Sequence, residues 1–304
     1  MKITVVGGTG HVGRFLVPML VEAGHEVCVI ARGVTSQPPG DAWQKVTLVR
    51  GSASDSETLA ALSAGGAEVV VDIPGTARAI YGAVRGKARH MVAIGSVWML
   101  GDPKVVPTPE LTQTACPFEG YAARYAEIQD LCGRGGPEGT PFTAVMPPNI
   151  CGPGKIPLDC LGGRDIEQHR AHKAGKPVIL PDGPEALVGP CDAEDIARCL
   201  FLAIEHREQA AGQIFNVGSA YALTWSEFVQ AYADIYGRRI PIERVSWQEY
   251  TDRVSPGMGW WWHMKAHMCP DIGKARRLLG YEPRHTPQGT LARAVEWMRG
   301  DGMI

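Results

Sequence analysis

Apolar positions in the first third of the chain alternate between two periods. "KITVV" (2–6) is a largely β-branched run ended by glycine, which predicts a strand buried on both faces. Val12, Phe15, Leu16, Met19, Leu20 and Ala23 then recur at helical spacing, and Gly24 stops the helix. Pro18 falls inside that helix and should bend it or interrupt its ladder. "HEVCVI" (25–30) is the next strand and completes a β-α-β unit of minimal length. The pattern continues with strands at 45–51, 68–73, 90–96 and 143–149 and helix-like segments between them. Such alternation predicts an α/β fold with a doubly wound, mostly parallel sheet. Ligands bind such sheets at the carboxyl ends of the strands, so candidate site residues should follow a strand directly. Further on, 225–237 and 291–302 read as amphipathic helices of a smaller C-terminal lobe, and "QIFNVG" (213–218) returns to the sheet.

Composition narrows the classes. The 304 residues are 45% hydrophobic and 20% charged, with a formal net charge of -2 and a pI near 6.5. That balance argues against bulk attraction to nucleic acid or to an anionic membrane. No apolar run is long enough to span a bilayer. The chain starts directly as a strand without a signal peptide, so a cytoplasmic location is expected. Cys28, Cys116, Cys132, Cys151, Cys160, Cys191, Cys199 and Cys269 form no C-x-x-C pair. They read as reduced thiols and not as a disulfide framework.

The first turn, "GGTGHVG", places Gly7, Gly10 and Gly13 between a buried strand and an amphipathic helix. Glycine there permits positive φ, close approach of a pyrophosphate to backbone N–H groups, and tight packing of helix on strand. Candidate cofactor contacts are Gly7, Thr9, Gly10, His11, Val12 and Gly13, with Ile73 at a later strand end. A ligand-free glycine turn is the alternative. The second strand ends "ARG" (31–33), with no carboxylate for a ribose 2′-hydroxyl. Arg32 can instead pair with a 2′-phosphate, which points to NADP, with NAD also admitted.

Taken together, these motifs resemble the extended short-chain dehydrogenase/reductase superfamily, which contains the NAD-dependent epimerases and dehydratases of nucleotide sugars. The resemblance covers nearly the whole chain. It rests on "GGTGHVG", "IGSVWMLG" (94–101), "MPPNICGPG" (146–154), "CDAEDIARCLFLAIE" (191–205), "IFNVGSAYALTWSEF" (214–228) and "DIGKARRLLGYEPRHT" (271–286). It implies a Rossmann-type dinucleotide-binding domain over 1–154, rejoined by 191–218, and a substrate lobe over 155–190 and 219–304. Three positions depart from the pattern. Met146 stands where arginine often opens the Asn-x-x-Gly-Pro segment, Ser52 where an acid often helps bind adenine, and Tyr125 in the lysine slot.

By this resemblance Ser96 would hydrogen-bond the substrate oxygen, and Tyr121, 25 residues later (121 − 96), would exchange a proton with it as hydride moves. A free phenol titrates near pH ~10, and a nearby lysine normally lowers it. Tyr125 carries no charge but can bond a ribose hydroxyl, so it is counted with Ser96, Tyr121 and Asn149 in the catalytic group, and both Tyr121 and Tyr125 are counted with the cofactor contacts. Arg124 and Lys155 are candidates for the missing cation. Three readings follow: a neutral phenol suited to reducing a ketone, a base drawn from elsewhere, or binding without turnover. Tyr121 and Tyr125 also fit two core aromatics one helical turn apart.

Ser96, Trp98, Asn149, Trp261 and His263 are the candidate substrate contacts. Asn149 is equally readable as a turn asparagine. In "GMGWWWHMKAHMC" (257–269), Trp260, Trp261 and Trp262 cannot all face one way on a helix, and they read as a pocket wall or as core and subunit anchors. His263, His267 and Cys269 have ligand-like spacing, but Met264 follows His263 in place of a general-base glutamate, so no metal is assigned. The Arg-x-Gly-Asp run expected of nucleotide-sugar epimerases is absent, and Lys265 is the cation of that region.

The leading expectation is an NAD(P)-dependent oxidoreductase of the epimerase/dehydratase type, acting on a carbonyl or carbinol carbon of a small molecule. Nucleotide-sugar epimerase or dehydratase is the first alternative. A catalytically silent dinucleotide-binding protein, a sensor or RNA-associated, is the second. A homodimer is admitted, and neither nucleic acid nor a membrane is expected as partner.

Overall fold

The computed structural model describes residues 1–304, the side chains of residues 258–260 excepted. The early elements follow the hydrophobic periods: β1 (Lys2–Val6), α1 (Gly13–Glu22), β2 (Glu26–Ala31), the short α2 (Asp41–Gln44), β3 (Thr47–Arg50), α3 (Ser56–Ala64), β4 (Val69–Asp72), α4 (Ala77–Val84), β5 (His90–Ile94), α5 (Glu119–Arg134) and β6 (Phe142–Met146). Then come β7 (Asn149–Cys151), α6 (Ile166–Lys173), β8 (Val178–Pro181), β9 (Leu187–Val188), β10 (Pro190–Asp192), α7 (Ala193–Glu205), α8 (Arg207–Ala210) and β11 (Ile214–Asn216). The chain ends with β12 (Leu223–Thr224), α9 (Trp225–Tyr236), β13 (Ile242–Val245), α10 (Trp247–Glu249), α11 (Met258–Lys265), α12 (Gly273–Leu279) and α13 (Pro287–Gly300).

Seven strands form one parallel sheet in the order β3-β2-β1-β4-β5-β6-β11. The fold is therefore the expected α/β, Rossmann-like sheet, carrying a C-terminal lobe. Strand order reverses between β1 and β4, and the crevice outside their carboxyl ends is where such sheets take ligands. β1, β4, β5 and β6 are buried nearly throughout, which is why they read as continuous apolar runs. One face packs Ile3, Val5, Val29, Val71 and Val92 against α1 and α7. The other packs Val6, Val70, Met91 and Ala144 against α4 and α5.

Two strands end earlier than their apolar runs suggest. β5 stops at Ile94, because Ser96 leaves the sheet to cap a short 3-10 helix, Val97–Leu100, its Oγ accepting the Trp98 N–H. β6 stops at Met146, because Pro147 and Pro148 have no N–H for a ladder.

The C-terminal lobe has its own core around Trp225, Phe228, Tyr232, Tyr250, Leu291 and Val295. Thr224 caps α9 by accepting the Glu227 N–H at 3.2 Å, and Gly237 closes it in the left-handed conformation. The lobe's last segment is tied to the start of α7. Asp195 accepts the N–H groups of Arg284 and His285, and Arg293 bridges Asp192 and Glu194. Asp192, Glu194 and His285 could converge on an ion, but the Arg293 guanidinium already answers their charge.

Candidate functional site

The turn between β1 and α1 is held by close backbone approach. A Cβ on Gly13 would stand 2.6 Å from Gly8 Cα, and one on Gly8 would stand 2.9 Å from both Val29 methyl carbons. α1 has no side-chain cap at its start. Among the described residues, the N–H groups of His11, Val12 and Gly13 find no backbone or side-chain acceptor. Three free donors at a helix N-terminus form a cradle for an anion, which fits the pyrophosphate of a dinucleotide.

Beside the cradle lies a cavity of about 480 Å³, lined by Gly7, Thr9, Gly10, Arg32, Ser52, Ile73, Pro74 and Thr76, among others. The structure thus brings Gly7, Thr9, Gly10, Arg32 and Ile73 together. The side chains of two other predicted contacts, His11 and Val12, go elsewhere. His11 Nε2 donates to the Gly152 carbonyl at 3.2 Å, Val12 is buried in the core, and Gly13 has only backbone to offer. Burial lowers His11 to about 4, so it is neutral at pH 7. Arg50, at the end of β3, is outside the cavity lining, but its Nε comes within 3.6 Å of where a Cβ on Gly33 would stand, so a second guanidinium lies next to the turn that follows Arg32.

A second cavity, of about 600 Å³, is lined by Trp98, Leu158, Gly162, Gly163, Arg164, Asp165 and His263. The Trp98 and His263 rings meet edge to face at 4.4 Å. Asn149 Nδ2 donates to His263 Nδ1 at 2.9 Å, and the Asn149 Oδ1 is buried without a partner. Burial, with Arg164 adding to it, lowers His263 to about 3, so its imidazole is neutral. The Tyr121 ring lies 5.9 Å from Trp98 and 6.1 Å from Phe118. Of the predicted substrate and catalytic residues, Trp98 and His263 line this cavity; Ser96, Tyr121 and Asn149 are outside the lining and are joined to it through Trp98 and His263.

Arg164 was not foreseen. It pins the loop after β7 by donating to the carbonyls of Ile150 and Ile156, and it still lines the cavity. Arg14 packs on Gly154, and Lys155 is exposed near Arg164. Among the described residues these three cations have no carboxylate partner within an ion pair.

Tyr125 is not brought to either cavity. It is 5% exposed, packed in the core under the sheet, and its hydroxyl donates to the Glu110 carbonyl at 3.3 Å. Burial raises its phenol. Its hydroxyl is thus committed to the backbone in place of a cofactor, because α5 turns that position toward β5 and β6. Trp261 is also outside the cavity lining. It packs beside Trp262, with the Lys265 ammonium 6.0 Å above its ring. Trp260 lies outside the described side chains. His267 Nδ1 accepts the Leu187 N–H and is turned away from His263's contacts. No described helix is long and apolar enough to cross a membrane.

Comparison with known proteins bears on this geometry. Residues 69–218 match the NAD dependent epimerase/dehydratase family, and residues 1–82 the NmrA-like family. Among curated proteins, UDP-glucose 4-epimerase of Corynebacterium glutamicum is 26% identical, with 96% of this chain and 93% of that protein covered. The chloroplast stem-loop binding protein of 41 kDa b of Arabidopsis thaliana is 25% identical, over 93% of this chain and 75% of that protein. The crystal structure of UDP-glucose 4-epimerase from Thermotoga maritima superposes with a TM-score of 0.76 at 20% identity, covering 99% of both chains.

Proposed function

We propose that this chain, a member of the NAD dependent epimerase/dehydratase family, is an NADP-preferring oxidoreductase that reduces a ketone of a small molecule. The observation that carries this reading is the convergence on Trp98. The Trp98 N–H is bonded to Ser96 Oγ, the Trp98 ring touches Tyr121 and His263, and His263 holds Asn149. Ser96 and Trp98 follow the carboxyl end of β5 and Asn149 follows that of β6, while α5 carries Tyr121 and α11 carries His263.

A bound nicotinamide dinucleotide supplies hydride, and the free N–H groups of His11, Val12 and Gly13 would hold its pyrophosphate. Ser96 Oγ hydrogen-bonds the carbonyl oxygen of the substrate. Tyr121 Oη would give its proton to that oxygen, and solvent would return a proton to the phenolate. A phenol that starts protonated is the right acid for reduction, so the absent lysine handicaps this direction less than oxidation. His263, neutral, orients Asn149 and closes the aromatic wall. Arg164, with Lys155 and Arg14 behind it, supports a substrate that carries an anionic group.

Arg32 and Arg50 together support NADP over NAD. In a titration of protein fluorescence, Arg32→Ala is expected to weaken NADPH binding about 10- to 100-fold and to leave NADH binding nearly unchanged. Equal losses for the two cofactors would remove Arg32 from the 2′-phosphate.

A further inference from the structure

We infer that Arg124 binds the nicotinamide half of the dinucleotide and is the cation of this active site, in place of the lysine absent at Tyr125. The inference rests on the cofactor reading above. Arg124 follows Tyr121 by three residues on α5, so the two side chains leave the helix as neighbours. The guanidinium does not run out to solvent. It is half-buried and lies on Gly75, where a Cβ would collide with Nη2.

Gly75 sits between Pro74 and Thr76, and both line the dinucleotide cavity. The turn is fixed from below by Asp72. Its Oδ1 accepts the Gly75 N–H and the Thr76 hydroxyl, each at 3.1 Å. Gly75 itself has φ +81°, so both its backbone conformation and its lack of a side chain open the place that Arg124 fills.

Among the described residues Arg124 makes no hydrogen bond and no ion pair. The charge that faces it is the Asp72 carboxylate, whose burial-raised carboxyl Arg124 draws back down without forming an ion pair, and phosphate or ribose oxygens would supply the hydrogen-bond partner the guanidinium lacks. The strand order sets which half it meets. Arg32 stands on the β2 and β3 side of the cavity. Arg124 stands on the β4 and β5 side, with Ser96 and Tyr121. Each end of the dinucleotide then has its own cation.

Binding measurements with two probes test this. NADPH contains both halves, whereas 2′,5′-ADP carries the adenine and the 2′-phosphate but no nicotinamide half. Arg124→Gln is expected to weaken NADPH binding about tenfold and to leave 2′,5′-ADP binding as in the wild type. Arg124→Lys should restore NADPH binding to within about threefold of wild type. Equal losses of both probes would show a structural role, and undiminished NADPH binding by Arg124→Gln would show none; either overturns the inference. A wild-type protein that binds neither probe would overturn the cofactor reading itself, and this inference with it.

Discussion

Tyr121→Phe lowers NADPH-dependent ketone reduction about 100- to 10,000-fold, the usual worth of a positioned general acid, while NADPH binding stays that of the wild type. The prediction separates chemistry from packing. The phenyl ring keeps its places 5.9 Å from Trp98 and 6.1 Å from Phe118, so the aromatic wall survives and only the hydroxyl is lost. His263 is not a substitute donor. Its imidazole is lowered to about 3, so it is already neutral well below the working range and no imidazolium is present at pH 7. The same fact predicts that activity between pH 5 and 8 shows no step from His263. Single-turnover oxidation of NADPH checks both statements. Full turnover in Tyr121→Phe would place the proton donor elsewhere.

Gly13→Ala is expected to damage both stability and cofactor binding. The added methyl would collide with the Gly8 carbonyl oxygen and stand 2.5 Å from its carbon and 2.6 Å from its Cα. These are backbone atoms, and Gly8 cannot retreat, because the Val29 methyls stand behind it. Relief requires α1 to lift from β1, which also misaims the free N–H groups of His11, Val12 and Gly13. Overpacking of this kind costs about 3 kcal/mol. At about 2–4 °C per kcal/mol for a domain of this size class, Tm should fall by roughly 6–12 °C, and NADPH should stabilise the variant less than the wild type. Gly82→Ala is the control. Nothing lies within 4 Å of a Cβ there, and α4 should gain about 0.5–1 kcal/mol from the lost chain entropy. Thermal melts with and without NADPH read both effects.

The central sheet was legible because its strands are buried on both faces and its glycine turn has one physical use. The contacts around the second cavity were legible only in part. Trp98, Asn149 and His263 stand near strand ends or in an unusual aromatic run; Trp98 and His263 line the cavity, and Asn149 is bonded to His263 behind it. Arg164 and Lys155 follow a stretch of glycines and prolines, which leaves no period from which to read direction. Arg50 lies on β3, an edge strand exposed throughout, where apolar patterning says nothing about ligand contact.

The helix α5 shows how spacing can mislead. Tyr121 and Tyr125 are one turn apart and share a face in a helical wheel. Four residues nevertheless advance the helix about 6 Å and rotate it about 40°, enough to take the second phenol under the sheet to Glu110. The three-residue step to Arg124 rotates the other way and reaches Gly75.

The most direct test of the account is a label transfer. The protein is saturated with NADPH deuterated at the transferred C4 position and incubated with small ketones, anionic ones included, and product carbinols are analysed by mass spectrometry. The account predicts deuterium at the carbinol carbon, and its loss in Tyr121→Phe. Bound NADPH that keeps its deuterium against every ketone would contradict it and leave a dinucleotide-binding protein without turnover.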